Sequence, residues 1–247
     1  MGFEGSSSYG WYYRRFICRQ LANHGFNMVT IGGYNVDRKT IKAGQRILHR
    51  GRSEFNISID NIKPHIKQQI SIIRKDNPWK GLISVNLRSI TPSPIIEISK
   101  IEGVDVVEIN AHCRQPEIID LGCGQALLND SDKLNKFTRA VVRKAESRVS
   151  VKIRANVQGV DTVKIAKSIE NAGADFLHVD AMKPGYPHAD YPVISSIKES
   201  TDIFLIGNNS IKDLESAIKM INSGADGISI ARALLNGEVP FDLSKLK

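Results

Sequence analysis

Short apolar runs that stop abruptly at polar residues recur along this chain, and they constrain its fold more than any other feature. The run at 104–109 has the composition of a buried parallel strand and is followed at once by Asn110, His112, Cys113 and Arg114. Further runs of this kind lie at 27–31, 82–87, 150–153, 175–179, 203–207 and 227–230. Such runs predict a series of strands whose carboxyl ends carry reactive side chains.

Segments with helical spacing lie between these runs. Residues 161–172 and 213–223 are examples, and the second has Ser210 and Asp213 as capping candidates and Gly224 as its exit. Alternation of strand and helix predicts an α/β protein with a parallel sheet covered by helices, and about eight such units in 247 residues match a TIM (β/α)8 barrel. A doubly wound open sheet is the alternative. It is disfavoured because no GxGxxG turn follows a first strand.

In a TIM barrel the loops after the strands form the active face, so the polar residues at the strand ends should meet at one mouth. They are Asn86, Asn110, Cys113, Lys152, Arg154, His178, Asn208 and Arg232. Lys152 would be costly to bury without an anionic partner, although a structural ion pair would also satisfy it. The segments IGNNSIKD and ISIARALL predict two helix N-termini that would hold a phosphate together with Arg232. That phosphate could belong to a sugar phosphate, a nucleotide or a flavin.

Composition sets wider limits. With 41% hydrophobic residues and no linker or low-complexity tract, residues 1–247 are predicted to form a single domain. No apolar stretch approaches the roughly 20 residues of a membrane span, and the N-terminus lacks a signal-peptide pattern, so a cytoplasmic protein without membrane contact is expected. Three cysteines at unrelated spacings indicate neither disulfides nor a zinc site. His112, Cys113 and Cys123 lack a fourth ligand at a diagnostic spacing, and no metal is predicted.

The formal net charge of +8 comes from 34 Lys and Arg against 26 Asp and Glu. It indicates either a surface for a polyanion such as RNA or an ordinary solvated basic surface. The denser basic runs lie at 12–19 and 46–52. Trp11, Tyr12, Tyr13 and Phe16, beside the first of them, could stack on unpaired bases or pack in the core.

The segment NAHCRQPEIIDLGCGQALL resembles the NxGCP-type motif and the following segment of the tRNA-dihydrouridine synthases. VKIR resembles their KxR strand, His178 their sixth-strand His, IGNNSI their Asn-Gly turn and SIARALL their phosphate turn. The order and spacing agree over roughly residues 26–237. GGYNVDRKT and HVDAMKPGYPHAD look like an archaeal branch related to these enzymes.

The resemblance implies bound FMN. Lys152 would approach the pyrimidine edge of the isoalloxazine, and Asn86 would stand where the family usually has a Gln that contacts the ring. His178 would contact the ribityl-phosphate side. The phosphate itself would be held by Asn208 and by the backbone near Ala231 and Arg232.

The resemblance also implies a reaction and its site residues. Asn110 and Arg154 would face a uracil ring. Hydride would pass from reduced flavin to C6 of uridine in tRNA, and Cys113 would protonate C5 as the general acid. NAD(P)H would be the electron donor.

The chain departs from the family pattern at several places. His112 and Arg114 replace the usual Gly and Pro beside Cys113, and Ala231 and Ala233 replace glycines. The family's first strand is missing or degenerate in the N-terminal residues, and no room is left after the barrel for a helical C-terminal tRNA-binding domain. Two alternatives therefore stay open beside uridine reduction in RNA. One is a dihydroorotate dehydrogenase-like flavoenzyme acting on a small molecule, and the other is a non-catalytic barrel that has lost its flavin.

Overall fold

A computed structural model describes residues 18–51 and 56–246 of the chain. Seven parallel strands pair in the order of the sequence and form a curled half-barrel. They are β1 Met28–Asn35, β2 Leu82–Arg88, β3 Val106–Ala111, β4 Arg148–Arg154, β5 Phe176–Asp180, β6 Phe204–Asn208 and β7 Gly227–Ser229. Each of the seven apolar runs coincides with one strand, which confirms the predicted TIM-barrel class. Three predictions concern residues outside the described ranges. The strand expected to be missing or degenerate and the four N-terminal aromatic residues belong to residues 1–17. Arg52 of the second basic run belongs to residues 52–55.

Helices connect the strands and cover one face of the sheet. They are α1 Arg38–Gln45, α2 Ile62–Arg74, α3 Pro92–Ser99, α4 Pro116–Ile119, α5 Ser131–Val142, α6 Thr162–Asn171, α7 Tyr191–Lys198 and α8 Leu214–Asn222. Asp161 caps α6, and Asp213 forms a capping box with Ser216 at the start of α8. Gly224 follows α8 with a φ of +101°. The helices predicted at 161–172 and 213–223 are therefore confirmed, as α6 and α8. No helix in the described part of the chain is long and apolar enough to cross a membrane.

Neighbouring residues along each strand face opposite sides of the sheet, and this alternation separates the core from the polar residues. The odd-numbered positions of β2 to β6 carry apolar residues such as Val85, Ile109 and Val151, all fully or almost fully buried in the main core. The even-numbered positions form the other face, here called the inner face, which the helices do not cover. Most of its residues are polar or charged.

A repeated Gly-x-Asp segment ties the amino ends of the strands together. It stands directly before β3, β5 and β7, at 103–105, 173–175 and 224–226, and there each Gly has a positive φ that ends the preceding helix or turn. Each Asp then accepts a backbone hydrogen bond of 2.8 Å from the neighbouring strand: Asp105 from Ile83, Asp175 from Val149 and Asp226 from Leu205. This repeat stabilises the end of the sheet opposite the predicted site.

Candidate active site

Strand register arranges the polar residues of the inner face in three layers. Asn86, Glu108 and Ser150 are paired across β2, β3 and β4 and form the deep layer. One step toward the carboxyl ends, Asn110, Lys152 and His178 form the middle layer, followed by Arg154, Asp180 and Asn208 in the outer layer. The structure therefore brings six predicted site residues onto one face: Asn86, Asn110, Lys152, Arg154, His178 and Asn208.

Glu108 is the centre of the deep layer, and its side chain is fully buried. Its carboxylate accepts hydrogen bonds from Asn86 Nδ2 at 2.7 Å, Ser150 Oγ at 3.0 Å and His178 Nδ1 at 2.8 Å. Burial alone would raise the pKa of Glu108, but His178, the positive charge of Lys152 and the Asn86 amide outweigh it and lower the pKa to about 2. Glu108 is therefore a buried anion that fixes the orientation of the His178 ring.

The low pKa of Glu108 predicts acid sensitivity. The ordinary pKa is 4.5, so the ionised carboxylate stabilises the folded state above that pH, and this stabilisation is lost as the pH falls from about 4.5 toward 2. We expect the free energy of unfolding in urea to fall by about 3 kcal/mol over this range through Glu108.

The Glu108→Gln variant should be less stable at pH 7 and should lose less stability on acidification. The exposed Glu102→Gln variant is the control and should follow the wild-type protein. An unchanged pH dependence in Glu108→Gln would show that Glu108 is not the ionised group.

The middle layer contains two polar groups without partners. Lys152 is partly buried, and its Nζ makes no hydrogen bond or ion pair with any residue that the structure describes. His178 Nε2 is buried and has no hydrogen-bond partner in the described ranges. Burial and the charge of Lys152 lower the pKa of His178, so its Nδ1–H donates to Glu108 and its Nε2 offers a lone pair. Lys152 and His178 are paired in register on β4 and β5, so the two groups lie side by side on the inner face.

Asn110 is engaged within the protein. Its Nδ2 donates to Asn86 Oδ1 at 2.7 Å, and its Oδ1 accepts from the backbone nitrogens of His112 at 3.1 Å and Cys113 at 2.9 Å. Asn110 thus fixes the start of the loop after β3. A side chain at Gly33 would collide with the Asn86 amide, so this amide pair packs against a glycine that has no room for a Cβ.

Cys113 points into a small apolar cluster with Ala43, Ile47, Ile118 and Cys123. Cys113 is 7% exposed. Burial raises the pKa of the neighbouring Cys123 to about 12, and its Sγ lies 3.4 Å from Ser89 O. The loop therefore holds the thiol of the predicted general acid in this cluster, beside the protonated thiol of Cys123, and the structure does not bring it together with the six predicted residues of the inner face.

The outer layer contains a cluster that sequence analysis did not assemble. Asp180 accepts from His112 Nε2 at 2.5 Å, from Arg154 Nη2 at 3.0 Å and from Asn209 Nδ2 at 2.5 Å. Burial would raise the pKa of Asp180, but His112, Asn209 and Arg154 outweigh it and lower the pKa. Burial and the charges of Arg154 and Lys152 lower the pKa of His112, which is therefore neutral at pH 7.

The predicted phosphate end is less enclosed. Asn208 Nδ2 donates to Ser229 O at 2.7 Å, while Ala231 and Arg232 are exposed. The helix N-terminus predicted after β7 is wrong, since only a three-residue 3-10 turn, Arg232–Leu234, forms there. It stops early because Gly237, with a φ of +84°, and Pro240 follow closely. Across the described residues, no three His, Cys, Asp or Glu side chains are placed to hold a metal ion.

Comparisons with known proteins relate this chain to one family. The family model for dihydrouridine synthase (Dus) matches residues 45–242. An uncharacterized protein of Methanocaldococcus jannaschii is 36% identical over 235 residues, covering 91% of this chain and 86% of that protein. The tRNA-dihydrouridine synthase B of Pseudomonas syringae is 31% identical over 140 residues, covering 53% of this chain and 41% of the enzyme. That of Serratia marcescens is 27% identical over 176 residues, covering 68% and 52%.

The chain thus spans about half the length of the curated synthases it matches. Among solved structures, ligand-free DHODH of Eimeria tenella superposes with a TM-score of 0.56 at 16% identity, covering 71% of this chain and 61% of that chain. A putative lyase/mutase of Burkholderia cenocepacia gives a TM-score of 0.58 at 15% identity, covering 89% and 74%. These two likenesses concern the fold alone. The family match over most of the chain and the relative at 36% identity show that this protein belongs to the dihydrouridine synthase family.

Proposed function

We propose that this protein is an FMN-dependent oxidoreductase that reduces the C5–C6 double bond of uridine in RNA. The observation that carries the proposal is the unpaired His178 Nε2 in the middle layer, with Lys152 beside it in register, on a face lined with hydrogen-bonding side chains. A buried imidazole nitrogen without a partner is costly unless a ligand satisfies it, and a neighbouring ammonium favours an anionic or electron-rich ligand for the two residues. Their position at the carboxyl ends of β4 and β5 is where TIM barrels bind their substrates.

The residues present fit a flavin. Lys152 offers a cation for an electron-rich ring edge, and His178 offers a lone pair in a fixed orientation because Glu108 holds its other nitrogen. Asn86 lies beside them. Asn208, the backbone near Ala231 and the guanidinium of Arg232, which is unpaired in the described part of the chain, would hold the phosphate. When bound, FMN supplies the hydride equivalent for C6 of the uracil ring.

The chain's own residues would position the uracil and move a proton. We infer that Cys113 donates its thiol proton to C5 and regains a proton from solvent. Asn110 holds the backbone of the loop that carries this thiol. Arg154 would face a carbonyl of the uracil, because among the described residues its guanidinium donates only through Nη2, to Asp180, and its Nε is buried without a partner.

The substrate class follows from the family and the charge. The relatives in Pseudomonas syringae and Serratia marcescens carry tRNA-dihydrouridine synthase in their names, and a net charge of +8 suits a polyanionic partner. We propose tRNA as the substrate, NAD(P)H as the electron donor and the cytoplasm as the place of action. We also propose that the chain acts as a single flavin-binding domain.

The visible absorption spectrum of the purified protein tests the cofactor. We expect a yellow protein that releases FMN on denaturation, identified by mass. A tRNA that contains dihydrouridine after incubation with the protein and NADPH would then establish the reaction. A yellow protein inactive on RNA would favour a small-molecule flavoenzyme, and a colourless protein that takes up no added FMN would favour a barrel without cofactor.

A further inference from the structure

The His112 side chain presents a hydrogen-bond acceptor at the mouth of the inner face. Asp180 is ionised, so the 2.5 Å contact between its Oδ2 and His112 Nε2 requires a proton on Nε2. The ring is neutral, which leaves a lone pair on Nδ1. The side chain is 26% exposed, and Nδ1 makes no hydrogen bond to any described residue.

Several contacts hold this ring in place. Asn209 Nδ2 and Arg154 Nη2 bind the same carboxylate as His112, and Asn110 Oδ1 accepts from the His112 backbone nitrogen. Asn209 lies in the left-handed region with a φ of 104°, in the turn after β6. Elements β3, β4, β5 and this turn therefore meet at one imidazole, which makes its free nitrogen a preorganised group.

Arg154 places further hydrogen-bond donors beside the same imidazole. Its Nη2 and His112 Nε2 both donate to Asp180 Oδ2 and lie 2.8 Å apart, so the remaining N–H groups of the guanidinium are close to the ring that carries the acceptor. A donor next to an acceptor matches the edge of a pyrimidine-2,4-dione, in which a carbonyl oxygen lies next to an imide N–H. Cytosine does not match, because its N3 is itself an acceptor and would face the Nδ1 lone pair.

We propose that His112 Nδ1 accepts the imide N–H of uracil and that this contact selects uracil over cytosine. The inference rests on the proposed function, since it names the group that reads the base at the same site. A flavin ring carries the same imide edge. Uracil is the better assignment because His112 contacts the outer layer, whereas Lys152 and His178, assigned to flavin, lie one layer deeper.

Equilibrium binding to the purified full chain tests this contact without turnover. The probes are uridine 5′-monophosphate (UMP), cytidine 5′-monophosphate (CMP) and N3-methyl-UMP, each measured by calorimetry. We expect the wild-type protein to bind UMP about 10- to 100-fold more tightly than either of the others, since both lack the imide donor. In His112→Phe the three affinities should become similar.

Two outcomes would overturn the proposal: a wild-type protein that binds UMP and CMP equally or binds neither, or a His112→Phe variant that keeps the preference for UMP. The methylated nucleotide keeps the test valid if the variant fails to fold, because it removes the donor from the ligand instead. FMN affinity is measured in parallel. An FMN affinity that falls in His112→Phe while the UMP preference persists would overturn the uracil assignment in favour of the flavin imide.

The two proposals can fail separately. A colourless protein without turnover would reject the flavin proposal. If that protein still distinguished UMP from CMP through His112, the base-reading contact would stand.

Discussion

Cys113→Ala is expected to lower the rate of dihydrouridine formation by about 10²- to 10⁴-fold, the usual contribution of a positioned general acid. The flavin should remain bound, because the residues assigned to it lie on the inner face and the thiol packs in a separate apolar cluster. The measurement is dihydrouridine formed per unit time in tRNA, together with the visible spectrum of the same sample.

Cys123→Ala is the matched control. It removes a buried thiol from the same cluster, and the high pKa of about 12 keeps that thiol protonated at neutral pH. We expect a modest loss of stability and unchanged turnover in this variant. Equal turnover in Cys113→Ala and wild type would remove Cys113 from the mechanism.

Lys152→Met is expected to weaken FMN binding by about 10- to 100-fold, because a charge-assisted hydrogen bond contributes about 1.5–3 kcal/mol. Met keeps the length and apolar stem of the side chain and removes the ammonium. Reduction of the flavin by NADPH should slow as well, since the cation stabilises negative charge on the reduced ring. Fluorescence titration with FMN measures the affinity, and stopped-flow absorbance measures the reduction.

Lys164→Met serves as the comparison, because Lys164 lies exposed on α6. It changes the net charge by the same amount and should leave both measurements unaltered. If both variants bind FMN as the wild type does, Lys152 is not a flavin contact.

The strands were predictable from the sequence because each is a short segment rich in Val, Ile and Leu that stops at polar residues, the composition of buried parallel strands. The predicted ends of the strands were less accurate than their number and order. The run at 104–109 corresponds to a strand that starts only at Val106, since Asp105 uses its side chain to bind the Ile83 nitrogen. That contact recurs with the Gly-x-Asp repeat, which was visible in the sequence but was not interpreted.

Most residues of the site were predictable from the sequence, but the hydrogen bonds between them were not. Glu108 was missed, although a carboxylate inside an apolar strand run is itself a signal, because it must be paired when buried. The pairing of His112 with Asp180 had no sequence signal, since the two residues are 68 positions apart and meet only through the register of β3 to β5. The direction of the Cys113 side chain also depends on loop conformation, which strand periodicity does not describe.

The alternation along the strands has a consequence for how this protein can change over time. Ile153 belongs to the apolar core, while its neighbours Lys152 and Arg154 belong to the inner face. A substitution at an inner-face position can therefore alter ligand choice while the apolar packing against the helices stays intact. Related proteins can thus acquire new substrates one residue at a time on a barrel that still folds.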